Sequence, residues 1–145
     1  MHIKTTVAGF CALVAAFAVS EARAESAEPK GFSCNFASGT TWTFDNGAFN
    51  SEKPEPIDIE IIDVDLDAQT AKLAGEGGKP AGALKIVRAI NANHFLEVVN
   101  EGFLNLTTIY DTDPASGTHP AVHSRHFGVL GQPVVAQYVG TCTEK

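Results

Sequence analysis

The sequence predicts an all-β protein folded as a small antiparallel β-barrel of about eight strands, with a β-sandwich as the alternative. Three observations carry this expectation. From Lys30 onward apolar residues alternate with polar ones at period two; no window of a dozen residues places apolar positions at helical spacing; and turn-forming residues punctuate the chain at short intervals. Composition agrees, because 44% hydrophobic and 19% charged residues in 145 describe a globular chain of one-domain size.

Residues 1–24 read as a secretory signal peptide, which leaves residues 25–145 as a single β domain. Lys4 supplies the positive n-region, the apolar run from Val7 to Val19 the h-region, and Ala22-Arg23-Ala24 the small-x-small cleavage site. The run is short of the roughly 20 residues a membrane span needs, and Glu21 and Arg23 follow it at once. Cys11 follows Phe10 and so lacks the small preceding residue that lipid attachment requires. The expected location is therefore secreted or periplasmic, with no membrane anchor after cleavage. Loss of Glu21 from the 17 acidic residues, and of Lys4 and Arg23 from the 10 basic ones, leaves 16 against 8 and a formal charge of −8. That sign argues against nucleic acid as a partner, since a phosphate-tracking face needs clustered Lys and Arg.

Export also gives the cysteines a meaning. Cys34 and Cys142 remain after cleavage, one near each end of the domain and 108 positions apart, and in an oxidising compartment they are expected to form a disulfide. They lack the close-spaced pair with which a structural zinc site begins.

The elements follow in order. Phe32, Cys34 and Phe36 alternate with Ser33 and Asn35 in a first strand, Ala37-Ser38-Gly39 is expected to turn, and Thr41 to Phe44 forms a second strand. Asp45-Asn46-Gly47 is a hairpin signal, because both central residues of a type I′ turn need positive φ. A proline-bearing loop, Ser51 to Pro56, leads to the strand Ile57 to Leu66, whose apolar phase slips by one between Ile61 and Ile62. A bulge there would bring all six of its apolar side chains to the core and leave its acids in solvent. Strands are expected at Thr70 to Ala74, Ala83 to Ile90, His94 to Val99, Phe103 to Tyr110, Ala121 to Val129 and Val134 to Cys142. Gly75 to Gly82, Asn91-Ala92-Asn93, Asn100-Glu101-Gly102, Asp111 to Pro120 and Gly131-Gln132-Pro133 connect them. Both cysteines share parity with core residues, so a bond between them would bring the first and last strands together and close the sheet.

A small secreted β-barrel with a tryptophan near its start resembles lipocalins and avidins in architecture, whose opening strand carries Gly-x-Trp. Here the spacing is Gly39-Thr40-Thr41-Trp42, one residue longer, and no C-terminal helix follows. The resemblance implies architecture alone and assigns no site residue.

The segment His119 to His126 holds three of the four histidines beyond the signal peptide, together with Ser124 and Arg125. On a strand, His123 and Arg125 share one face with Ala121 and Phe127, while Ser124 and His126 share the other with Val122. A half-buried strand ordinarily shows one apolar face; polar groups on both mark either a buried hydrogen-bonded network or a binding site. His123, Ser124, Arg125 and His126 are therefore the candidate binding residues, with His123 and Arg125 expected at the rim and Ser124 and His126 toward the interior. A metal site would need His119, His123 and His126 on one stripe, which a strand does not provide, so no metal or cofactor is expected. Ser124 lacks the glycines of a nucleophile elbow. Asp63-x-Asp65-x-Asp67 opens like a calcium loop but has Ala68 where glycine belongs and Ala74 where a bidentate glutamate belongs, so its acids are expected in solvent. Asn105-Leu106-Thr107 matches the glycosylation triplet within a strand.

The function expected from these residues is non-catalytic binding of a small ligand or a protein partner, with the strand Ala121 to Phe127 supplying the polar contacts. The alternatives are a small hydrolase-like or metal-binding enzyme built on His123, Arg125 and His126, with either histidine as general base and Arg125 on an anionic substrate, or a structural or inhibitory surface protein with a sealed interior.

Overall fold

A computed structural model describes residues 28–99, 102–129 and 131–145; the expected signal peptide, 1–24, lies outside them. Among the described residues nine antiparallel strands form one sheet: β1 (Phe32–Asp45), β2 (Ala48–Glu52), β3 (Ile57–Asp65), β4 (Thr70–Ala74), β5 (Pro80–Arg88), β6 (Ala92–Val99), β7 (Phe103–Tyr110), β8 (His119–Val129) and β9 (Gln132–Glu144). Each strand pairs with its neighbour in the order β2-β1-β3-β4-β5-β6-β7-β8-β9, and β1 also pairs with β9, which joins the sheet into a ring. Among the described strands β2 pairs with β1 alone, so the circuit runs through the other eight.

The seam of the ring is where the sequence placed its cysteines. Cys34 and Cys142 stand directly opposite each other on β1 and β9, their sulfurs bonded and both side chains buried. The closing contact is close: a side chain at Gly140 would collide with the backbone of Asn35 and Phe36, so only glycine allows β9 to approach β1 there.

Three readings of the chain are corrected. Ala37-Ser38-Gly39 does not turn; β1 continues through it for 14 residues, and the pairing to β9 shifts register between Asn35 and Ser38. A bulge rather than a reversal lets one strand pair with β3 by its first half and with β2 by its second. The phase slip in β3 is a bulge, but Asp63 takes up the extra residue at φ 52°, so Ile62 alternates away from Ile61 and stays half-buried. Ile59, Ile61, Val64 and Leu66 do reach the core, and Ile57 packs on it. The segment from Gly75 to Gly82 is not all turn: a short 3₁₀ turn, Glu76–Gly78, is followed by β5 from Pro80. The Asn46-Gly47 hairpin forms as expected, with φ 51° and 83° joining Asp45 to Ala48.

The strand directions define two ends. The N-termini of β3, β5, β7 and β9 and the C-termini of β4, β6 and β8 lie at one end, called here the mouth. The far end holds the β5–β6 turn and the loop before β8. Toward the far end the interior is filled by Phe32, Phe95, Ile61 and Ile86, with Phe32 edge-on to Phe95 at 5.9 Å. Toward the mouth the inward positions include Gly82, Glu97, Asn105 and Arg125, and beyond them Phe103 and Phe127 stack at 5.4 Å.

Candidate functional site

Direct cross-strand partners share a face, so the register settles which residues point inward. His123 of β8 lies opposite Thr107 of β7 and Tyr138 of β9, all buried; Arg125 lies opposite Asn105 and Ala136. His123 and Arg125 therefore face the interior. Ser124 and His126 face out, opposite Gln137 and Val135, and His126 is exposed. This reverses the expected arrangement, in which Ser124 and His126 were interior: the buried Tyr138 and Thr107 on the flanking strands decide the face that β8 alone left ambiguous.

The inward groups line a cavity of about 200 Å³ near the mouth. Its apolar wall is Ile59, Leu73, Ala74, Ala81, Leu84 and Phe95; its polar lining includes Glu97, Asn105, Thr107, His123 and Arg125, with Asp58 and Glu60 of β3 at its edge. Space exists because β4 and β5 bring small residues here. A side chain on Gly82 would meet the Glu97 carboxylate at 2.8 Å, so this glycine leaves the room that Glu97 occupies.

The polar groups form two cross-strand rows. Nearer the core, Thr107 Oγ1 and His123 Nδ1 lie 2.8 Å apart, and Arg125 Nε donates to His123 Nε2 at 3.1 Å. Arginine has no acceptor, so Nε2 carries the lone pair, the proton sits on Nδ1, and Nδ1 donates to Thr107. Burial, with the Arg125 guanidinium adding to it, pushes His123 down to about 4, so the ring is neutral at physiological pH. Phe36 and Tyr138 flank the ring at 5.6 and 6.1 Å between centroids. In the second row, Asn105 Nδ2 donates to Glu97 Oε2 at 2.6 Å, and Arg125 stands beyond Asn105 on the next strand.

Arg125 is held by its Nε bond to His123 and by the Tyr138 ring, 5.9 Å from its guanidinium carbon. Among the described residues it joins no ion pair, and its four Nη–H donors have no side-chain partner. His123, by contrast, is fully satisfied. Its lone pair is engaged and its basicity low, so it is not free to serve as a general base near neutral pH. It positions Arg125.

His119 belongs to a separate cluster at the far end. Its Nδ1 donates to the Tyr110 carbonyl at 2.8 Å, its Nε2 lies 3.2 Å from Thr112 Oγ1 and 3.2 Å from Glu144 Oε1, and Phe32 packs edge-on against it. The contacts tie the loop before β8 to the end of β9. Among the described residues no three metal-ligating side chains come together. Asp63 pairs with Lys72 in solvent, and Asp65 Oδ1 accepts from the Ala68 amide, which explains the acidic row as a surface strand and its turn. Asn105 faces the cavity and donates to Glu97, so the glycosylation triplet turns its amide to the interior rather than to the outer surface.

Glu97 and Asn105 escaped the sequence reading. The available signal was a charged or amide residue at the same parity as Phe95 and Thr107, inside strands otherwise apolar. Among the described residues no helix is long and apolar enough to cross a membrane. No protein-family model matches the chain, and comparison with curated proteins and with solved structures finds no significant match.

Proposed function

We propose that this protein is a secreted, non-catalytic β-barrel module that binds a small molecule in the cavity at the mouth of its ring, with Arg125 as the principal polar contact. The observation that carries the reading is a guanidinium oriented by His123 and Tyr138 at a cavity edge, with no partner for its remaining donors among the described side chains. Orienting an arginine with one donor and one ring, while leaving the fork free, suits recognition of an acceptor that the chain itself does not supply. The volume, about 200 Å³, is below the roughly 300–1,000 Å³ of pockets for drug-sized ligands, so the ligand is small. The bonded cysteines fit an oxidising compartment.

Native mass spectrometry of the protein isolated from its source tests this. The wild type is expected to carry a small added mass that Arg125→Ala loses while still folding. Wild-type protein that shows only its bare mass, even in small-molecule extract of its source, would count against the cavity.

A second reading concerns the outer surface. The outward positions of β6 to β9 include Leu96, Leu104, Leu106, Val122, Val135 and Val139, and the described outward residues there carry no Asp, Glu, Lys or Arg. Two copies of an acidic chain can meet through an uncharged face without mutual repulsion. Sedimentation of the purified protein would reveal such a dimer, and Leu104→Lys would dissolve it.

A further inference from the structure

We infer that the molecule taken by the mouth cavity is a small zwitterion with an aliphatic body, of the chemical class of a free α-amino acid. The inference rests on the cavity reading above and narrows it to a ligand class.

The charges around the cavity define what it tolerates. One guanidinium, Arg125, and one inward carboxylate, Glu97, line it; Asp58 and Glu60 alternate outward with Ile59 on β3 and are bonded there to Asn35 and Lys145. A simple anion would gain Arg125 but meet the Glu97 carboxylate in an already acidic protein; a simple cation would gain Glu97 but leave the Arg125 fork without an acceptor. A molecule carrying both charges avoids each cost.

The placement of the opposite charges fits this. Glu97, Asn105 and Arg125 occupy one cross-strand row on β6, β7 and β8, so the two charged residues stem from strands about 10 Å apart. They do not pair with each other: Asn105 stands between and engages Glu97, while Arg125 is turned to His123. A carboxylate lying on the Arg125 fork and an ammonium directed to Glu97 would join the two halves of the row. Opposite the row, Leu73, Ala74 and Leu84 offer a dry surface for an aliphatic side chain. The space corresponds to about six or seven displaced waters, which suits an amino acid better than a peptide.

The test uses the intact mature protein and three matched probes in calorimetric titration: L-leucine, 4-methylpentanoate, which lacks the ammonium, and 3-methylbutylamine, which lacks the carboxylate. L-Alanine and L-valine extend the amino-acid series to smaller bodies. At least one amino acid is expected to bind about tenfold or more tightly than either truncated probe, and Arg125→Gln and Glu97→Gln are each expected to weaken it by about tenfold or more. Melting curves of the unliganded variants separate a lost contact from a lost fold. If 4-methylpentanoate binds as tightly as leucine and Glu97→Gln changes nothing, the zwitterion is wrong and the cavity reading stands. If no probe binds, the zwitterion is wrong, and the added mass in native mass spectrometry decides whether the cavity reading survives it.

Discussion

Lowering the pH from 7.5 to 4.5 is expected to remove about 2.5 kcal/mol of stability through His123 alone. The ring is 3% exposed, and burial together with Arg125 lowers it from the ordinary 6.5 to about 4. Between those values the unfolded chain binds a proton that the folded chain refuses. The contribution is therefore complete above about pH 6.5, is lost as pH falls toward 4, and is level below both values. The pKa difference corresponds to about 3.4 kcal/mol in full, of which about 2.5 is realised by pH 4.5. Urea unfolding at the two pH values, in wild type and in His123→Gln, measures it. Glutamine keeps an acceptor for Arg125 and a donor for Thr107 but takes up no proton, so the variant should lose about 2.5 kcal/mol less than wild type over the same interval. The difference between the proteins removes carboxylates elsewhere in the chain from the comparison. Equal pH dependence in both would refute the placement of a neutral, buried His123 beneath Arg125.

Three further outcomes are expected. Denatured, unreduced mature protein should show no free thiol, and Cys142→Ser should lower stability by up to about 4–5 kcal/mol in urea, since the bridge spans 108 positions. Gly140→Ala should cost about 1–3 kcal/mol in the same assay, because the added carbon strikes the Asn35 backbone rather than a movable side chain. Calcium at millimolar concentration should leave the melting temperature unchanged in both wild type and Asp65→Asn, whereas a rise of several degrees that the substitution abolishes would place an ion on the acidic row.

Much of the architecture was legible because its causes are local. Alternation from Phe32 to Phe36 and from Val134 to Cys142 put both cysteines on the core face, and Asn46-Gly47 announced its hairpin through the positive φ that asparagine and glycine tolerate. The continuation of β1 through Ala37-Ser38-Gly39 was not local. Those residues have the composition of a turn, and only a partner strand that follows them on the other side of a bulge keeps them extended. The site was half legible for the same reason. A strand carrying His123 and Arg125 on one face and Ser124 and His126 on the other is visibly unusual, but which face is interior depends on Thr107 and Tyr138, distant in sequence. Glu97 and Asn105 went unnoticed because each is a single polar residue in a β-forming run; they acquire meaning only when β6, β7 and β8 align them with Arg125.

The most direct test of the account is methyl NMR of the mature protein as the small-molecule extract of its source is added. The inward methyls of Ile59, Leu73 and Leu84 line the cavity, whereas those of Leu96, Leu104 and Leu106 lie on the opposite face of the sheet. The account predicts saturable shifts confined to the inward set, abolished by Arg125→Ala in a protein that otherwise keeps its spectrum. Shifts confined to the outward set, or none in either, would contradict a ligand site inside the ring.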